Sequence, residues 1–418
     1  MNSFVKAVDL EGCSKWTADI DVLRHVTSRY FSIRTFVSDN IEHVLIDQPE
    51  VGILGFIFTQ KDGQNWFLLQ DKPEPGNAGI YQFGPTVQAT KSNYERIHGG
   101  KETPYLSYFL KGDGFTSYVE GSEQGGKFIN KFNLNVEKRV EDLIEPVNET
   151  YVWYSASELK KLVHLSYKLN TDARSVLVSG DWLLFCDDES SPFLSDSSLS
   201  PEQQQALNAS LAIERLSYLD ETQTLLERQQ LLYPLPLLPI KFSEMQQHVL
   251  NDKGIFTHKG EVVVSYFDIF MPEREVSRWQ QPLLHQLNTE YCVLIFKIVE
   301  DIAFFFLGVY PEIGFKDRVE FGPSLQTGDG VHKDNRGSVV EFLESSRVIC
   351  DIDQSDEGGR FYKNVTNYSL AEVSDQESIL QAKPGIWLSL AEIQKLSRIK
   401  GMLTNELRTS LSLLLPFI

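Results

Sequence analysis

FLLQDKPEPGNAGIYQFGPTVQ, from Phe67 to Gln88, aligns without gaps to FFLGVYPEIGFKDRVEFGPSLQ, from Phe305 to Gln326. Pro73, Glu74, Gly76, Phe83, Gly84, Pro85 and Gln88 recur as Pro311, Glu312, Gly314, Phe321, Gly322, Pro323 and Gln326. Two more blocks follow in the same order. SEQGGKF (Ser122 to Phe128) matches SDEGGRF (Ser355 to Phe361), and WYSASELKKL (Trp153 to Leu162) matches WLSLAEIQKL (Trp387 to Leu396). Arg174 then matches Arg408, and upstream Gln48-Pro49 is aligned with Gln281-Pro282. Blocks repeated in one order mark an internal duplication, and repeats have to be sought before a fold is assigned.

The repeat divides the 418 residues into two domains, 1–195 and 240–418, joined by a connection over 196–239. The connection opens on the Ser-rich SSPFLSDSSLSPEQQQ. It enters a helix with Ser200 as N-cap, Pro201 at the first position and Gln203 closing a capping box. Ala209, Ala212, Leu216, Leu219 and Leu226 share one face of that helix at the helical period. YPLPLLP, held extended by its prolines, ends it.

Within each domain, VGILGFIFTQ, WFLLQ, CVLIFKIV and IAFFFLGVY read as strands, being β-branched and aromatic runs between turn residues. The last third is helical, with matching capping boxes at Ser155/Glu158 and Ser389/Glu392. Strands followed by helices predict an α+β fold, two tandem mixed-sheet domains, rather than a doubly wound one. No GxGxxG or GxxxxGK[ST] opens a helix, which sets aside a dinucleotide fold or P-loop.

Composition narrows the function. Lys and Arg number 39, Asp and Glu 58, giving a formal net charge of -19. A nucleic-acid binder or polybasic membrane protein needs a basic face. A few local Arg and Lys can still hold a diphosphate. Cys13, Cys186, Cys292 and Cys350 are widely spaced, without the pattern of a zinc site or a disulfide scaffold, so the chain is read as cytoplasmic. No signal core or membrane span is recognised. The eight histidines show no HxH or HExxH spacing, so no metal is expected, and no GxSxG elbow occurs.

The run QFGPTVQATKSNYERIHGG brings Thr86, Gln88, Thr90, Lys91, Ser92, Asn93, Tyr94, Arg96 and His98 close together. Such a run is either a solvated hairpin or a sugar site, where hydroxyls need paired donors and acceptors and proton transfer needs His, Tyr, Lys or Glu. The second repeat carries QTGDGVHKDNRGS there, with His332 and Lys333, so the two domains are not expected to share one task. Glu74 and Glu312 either accept turn amides or meet substrate. Lys127 and Arg360, after paired glycines, can approach an anion. Arg174 and Arg408 either bond helix-end carbonyls or clamp a diphosphate. Trp279 is either core or a stacking platform for a nucleobase.

Taken together, QDKPEPGNAGIYQFGPTVQATKSNYERIHGG, EGGRF and the duplicated layout resemble the NDP-hexose 2,3-dehydratases of deoxysugar biosynthesis. The resemblance implies two Nudix-like domains without the Nudix metal box, a homodimer, no cofactor, and a dTDP-4-keto-6-deoxyhexose as substrate. It also implies nucleotide-sugar pockets in both domains. The reaction it implies removes the carbon-3 proton, acidified by the 4-ketone, expels the carbon-2 hydroxyl as water, and yields a 3,4-diketo-2,6-dideoxy sugar. Glu74, Lys91, Tyr94 and His98 are the candidate acid and base. Arg174, Arg347, Lys363 and Arg408 are assigned to the diphosphate and Trp279 to the base. Asn130, Lys131, Asn133, Tyr362, Asn367, Tyr368 and Asn405 complete the substrate-binding set. Aligned through the Gln-Pro pair, Trp279 falls on Ile46, leaving the first domain without a matching aromatic. A nucleotide-sugar-binding protein without turnover and a nucleotide-sugar hydrolase are the alternatives.

Overall fold

The computed structural model describes residues 3–97, 99–111, 114–185, 199–233, 236–315, 317, 319–328, 333–373, 378–381 and 383–418. His98, Cys186, His332 and most of the Ser-rich stretch therefore lie outside the described residues. The fold is mixed α+β, with four sheets among the described residues.

Two seven-stranded sheets form the centre. In the first, Gly52–Lys61 lies between Phe132–Arg139, which is parallel to it, and Gln64–Pro73, which is antiparallel. In the second, Glu290–Val299 lies between Val365–Glu372, parallel, and Ile302–Pro311, antiparallel. The remaining strands attach in the same order in both sheets. The middle strands read as unbroken apolar runs because both of their faces are covered. The helices Thr171–Ser179 and Asn405–Ser412 pack together between the sheets. One large core draws on both sheets, from Phe56 and Phe67 to Phe296 and Phe305. The capping boxes at Ser155, Ser200 and Ser389 are all formed.

The two smaller sheets cross the chain. Phe4–Val8, from the start of the sequence, pairs with Val262–Phe270, and Leu238–Ile240, from the connection, pairs with Ser32–Ser38. The exchange is reciprocal. Each donated strand continues the side of its host that a shorter neighbour, Gly254–Thr257 or Val22–His25, covers only in part.

Two sequence readings change here. The helix expected from Ser200 is two helices, Pro201–Ser210 and Tyr218–Leu232. Between them the Ile213 carbonyl accepts from Ser389 Oγ, and Arg215 binds Glu392 through its amide and its guanidinium. These bonds turn the chain and leave Leu216 fully exposed instead of on an apolar face. The Gln-Pro alignment is out of register. Ile46 pairs with Phe128 and Leu284 bridges to Phe361, so Gln48 corresponds to Gln286 and Trp279 to Ile41. The first domain still lacks an aromatic there.

Candidate active site

The repeated motifs interlock crosswise. The turn at Gly76 docks on the paired glycines of the second repeat, and the turn at Gly314 docks on those of the first. Gly76 N–H donates to Gly358 O at 2.8 Å, and Gly314 N–H to Gly125 O at 2.9 Å. The return bonds also match, Lys363 N–H to Gly76 O and Asn130 N–H to Gly314 O, both at 2.6 Å. Asn130 and Lys363 both take positive φ to make them. Each docked turn closes a cavity against the other domain's sheet.

The C-terminal cavity, of about 290 Å³, is lined by Glu290, Glu312, Gln326, Lys333 and Glu406 from the second domain and by His43, Gln124 and Lys127 from the first. Lys127 Nζ lies 2.6 Å from Asp356 Oδ2 and 3.5 Å from Glu290 Oε2. Gln124 Nε2 donates to the other oxygen of Asp356 at 3.0 Å. Lys333 donates to Glu312. Burial pushes the Glu290 carboxyl up to about 7, although the Lys127 ammonium opposes it. Burial and the Glu312 charge raise that of Glu406. The neighbouring carboxylates keep Lys127 and Lys333 charged despite burial, whereas His43 and His285 are held neutral, pushed down to about 4 by burial. Among the described residues, five buried polar atoms on this wall have no hydrogen-bond partner: Glu312 Oε2, Gln326 Oε1, Glu406 Oε2, Gln286 Oε1 and His43 Nε2. Buried polar groups are normally bonded, so this wall offers hydrogen-bonding groups to water or to a polar ligand.

The N-terminal cavity is smaller, two spaces of about 80 and 50 Å³ that share Asn93, Arg274, Gly359 and Arg360. Glu74 Oε1 accepts from Gln88 Nε2 at 3.0 Å and lies 3.8 Å from Lys72 Nζ and 3.7 Å from Arg274 Nη1. Burial and the Arg274 charge lower the Lys72 ammonium. Among the described residues, none lining this cavity carries an unpartnered buried side-chain atom.

Of the residues singled out from sequence, Glu74 and Asn133 line the N-terminal cavity and Trp279 its outer space, its indole N–H bonded to Gln281 at 3.0 Å. Asn133 accepts from Gly52 N–H and donates to Glu123, which also accepts from Asn405. Lys131 donates to Glu50 O. The diphosphate role is not what the structure gives Arg174 and Arg408. Arg174 is fully buried and donates to Leu169 O, Val163 O and Ser412 Oγ. Arg408 donates to Leu403 O, Ser122 O and Ser175 Oγ. Their guanidinium donors are already committed to tying the two central helices together. Arg347 pairs with Glu372 at 3.3 Å away from both cavities, and Lys363 is exposed. Lys91 is also exposed and pairs with Glu95, while Tyr94 packs on an apolar cluster with Leu106 and Phe109. Tyr362 stacks on Phe267 at 4.5 Å, Asn367 donates to Asp353, and Tyr368 is buried beside Cys292 and Leu413. Of the polar run, Gln88 and Thr90 line the inner space of the N-terminal cavity, Ser92 and Arg96 the outer one and Asn93 both, whereas Lys91 and Tyr94 line neither.

Glu290, Glu406, Gln326, Gln286 and the two histidines escaped the sequence reading. Glu290 opens an apolar strand and Glu406 sits between Asn405 and Arg408, but neither belongs to an obvious polar cluster. Glu312, Lys127 and Lys333 were visible as candidates. Among the described residues no group of three or more His, Cys, Asp or Glu could hold a metal ion, and no helix is long and apolar enough to cross a membrane.

A family model of NDP-hexose 2,3-dehydratases matches residues 2–179 and 220–414. The chain is similar to a dTDP-4-dehydro-6-deoxy-alpha-D-glucopyranose 2,3-dehydratase of Saccharopolyspora spinosa, with 27% identity over 98% of this chain and 87% of the relative. It is similar to enzymes of the same name from Streptomyces violaceoruber, 28% identical over 97% and 90%, and Amycolatopsis orientalis, 26% identical over 88% and 74%. The chain belongs to the NDP-hexose 2,3-dehydratase family.

Proposed function

We propose that this protein dehydrates dTDP-4-keto-6-deoxyglucose at carbons 2 and 3, and that the chemistry takes place in the C-terminal cavity. The observation that carries the placement is the cluster of unpartnered buried polar atoms beside Glu290, Lys127 and Lys333. Glu290 removes the carbon-3 proton. A base with its pKa near the working pH suits that step. Lys127 and Lys333 stay protonated and stabilise the negative charge that develops on the 4-oxygen. Glu406, whose hold on a proton is strengthened by burial and by the Glu312 charge, delivers a proton to the carbon-2 hydroxyl, which leaves as water. The enol left behind takes a proton from solvent at carbon 2, gives up the proton of its oxygen-3 hydroxyl, and becomes the 3,4-diketo sugar. Carbon 3 loses hydrogen and carbon 2 loses hydroxide, so no redox partner is consumed.

Glu290 corresponds to Gly52 in the first repeat, so the N-terminal cavity lacks this base. In this reading that cavity, with Trp279, Arg274 and Arg360, is a second nucleotide-sugar pocket without turnover. The crossed repeats support an internally duplicated pair of Nudix-like domains. The helix Tyr218–Leu232, with Leu219, Leu231 and Leu232 exposed, forms the dimer surface of a cytoplasmic enzyme.

The test is incubation with dTDP-4-keto-6-deoxyglucose in deuterium oxide, followed by NMR. Loss of the carbon-2 hydroxyl with solvent deuterium at carbon 2 is expected. Glu290→Gln should lower turnover roughly 10²–10⁴-fold. The wild-type rate should rise with pH through about 7, as Glu290 ionises. Binding without reaction, or release of a nucleoside monophosphate, would replace the dehydratase reading. Full activity of the Glu290 variant would move the chemistry to another site.

A further inference from the structure

Both cavities place an ammonium beside the glutamate of the Pro-Glu turn, but they obtain it differently. In the N-terminal cavity it is Lys72, two residues before Glu74 at the end of the strand that leads into the turn. The corresponding residue before Glu312 is Tyr310, which cannot supply that charge, and Lys333 supplies it from a separate segment. The neighbour of Lys333 is held by four bonds. Asp334 Oδ2 accepts from the Gln326 amide at 2.6 Å, from the Tyr310 hydroxyl at 2.9 Å and from Lys383 Nζ at 2.5 Å. The Asp334 amide donates back to Gln326 O at 2.8 Å. Lys383 also donates to the Tyr310 oxygen. The Lys333 and Lys383 ammonium groups lie 5.0 and 4.4 Å from the centroid of the Tyr310 ring. Lys383 is thereby the cation paired with Asp334, whose side chain ties the segment carrying Lys333 to Gln326 and Tyr310.

We propose that Asp334 and Lys383 are positioning residues for the dehydration, fixing Lys333 against Glu312 and Gln326 on the cavity wall. The proposal rests on the placement of the chemistry in the C-terminal cavity. Lys383 faces Asp334, Tyr310, Lys333 and Cys292. Burial brings its ammonium down to about 8, against the pull of Asp334. Above that pH it loses its charge and Asp334 is no longer neutralised.

The experiment compares Lys333→Met, Asp334→Asn, Lys383→Met and Lys383→Arg in the full-length chain. It reads kcat, KM and the pH profile with the dTDP-keto sugar, and dTDP affinity by titration. Asp334→Asn and Lys383→Met should lower kcat about tenfold to a hundredfold, the size of effect that misplacement by about 1 Å produces, while KM and dTDP affinity stay within about threefold. Lys383→Arg should restore most of kcat and remove the alkaline fall near pH 8, because its guanidinium stays charged. If Lys383→Met does not fold, the pH profile of Lys383→Arg and the kcat of Asp334→Asn decide alone. Loss of activity in Lys333→Met, with wild-type kcat in Asp334→Asn and an unmoved alkaline limb in Lys383→Arg, would overturn the positioning role and leave the site. Wild-type activity in Lys333→Met would overturn the site itself and the positioning role with it.

Discussion

Gly76 donates its amide hydrogen to the carbonyl of Gly358 at 2.8 Å, across the boundary between the two repeats. The approach leaves no room for a side chain at either turn. A Cβ on Gly76 would stand 1.5 Å from Phe361 O, and one on Gly314 1.8 Å from Phe128 O. The invariance of these glycines between the repeats is therefore a requirement of docking one domain on the other, and each docked turn closes a cavity.

Gly76→Ala and Gly314→Ala should each force the domains apart. Overpacking against backbone costs typically about 1–3 kcal/mol, and here no flexible side-chain end can yield. Urea unfolding should show that loss or more. Gly79→Ala, where an added Cβ meets nothing within 4 Å, is the control and should change little.

Replacing Arg408 should damage stability, not recognition. Arg408→Met removes three bonds to Ser122, Ser175 and Leu403, takes from the buried Glu320 its nearby cation, and leaves the buried Glu123 with Lys131 alone. Breaking a buried charged arrangement costs about 3–5 kcal/mol. Unfolding should move by that amount, while the folded fraction binds dTDP as wild type does. A weakened affinity in fully folded protein would restore the diphosphate role expected from sequence.

Glu137 lies under Gly180, away from both cavities, and burial pushes its carboxyl up to about 8. The folded state therefore holds this proton more tightly than the unfolded state. Below the unfolded value, near 4.5, both states are protonated and nothing is lost. As pH rises from there to about 8 the unfolded chain gains by ionising and stability falls, by about 1.4 kcal/mol per unit of pKa difference. Glu137→Gln stays neutral and should flatten unfolding free energy between pH 5 and 8, with its largest gain at pH 8. An unchanged pH dependence would show that Glu137 is already ionised in the folded chain.

Local order was legible in the sequence because it depends on neighbours in the chain. The capping boxes at Ser155, Ser200 and Ser389, the apolar central strands and the repeat itself required only spacing and side-chain type. So did the family, which rests on motifs. The long helix predicted after Ser200 failed because Arg215 and Ile213 bind residues of the second domain far away in sequence.

The site divided along the same line. Glu74, Asn133 and Trp279 could be named from motif and type, and they do line a cavity. Arg174 and Arg408 looked like ligands because a repeated Arg near a helix end reads equally as anchor or clamp, and only their neighbours in space decide it. By itself the sequence determined the repeated motifs, the α+β order and the family. Only the tertiary structure decided that the two halves of the chain exchange strands, that each cavity is walled by both halves, and that Glu290, Lys127 and Lys333 meet in one of them. Those pairings join positions far apart in the chain, held by burial and hydrogen bonds that no local pattern encodes.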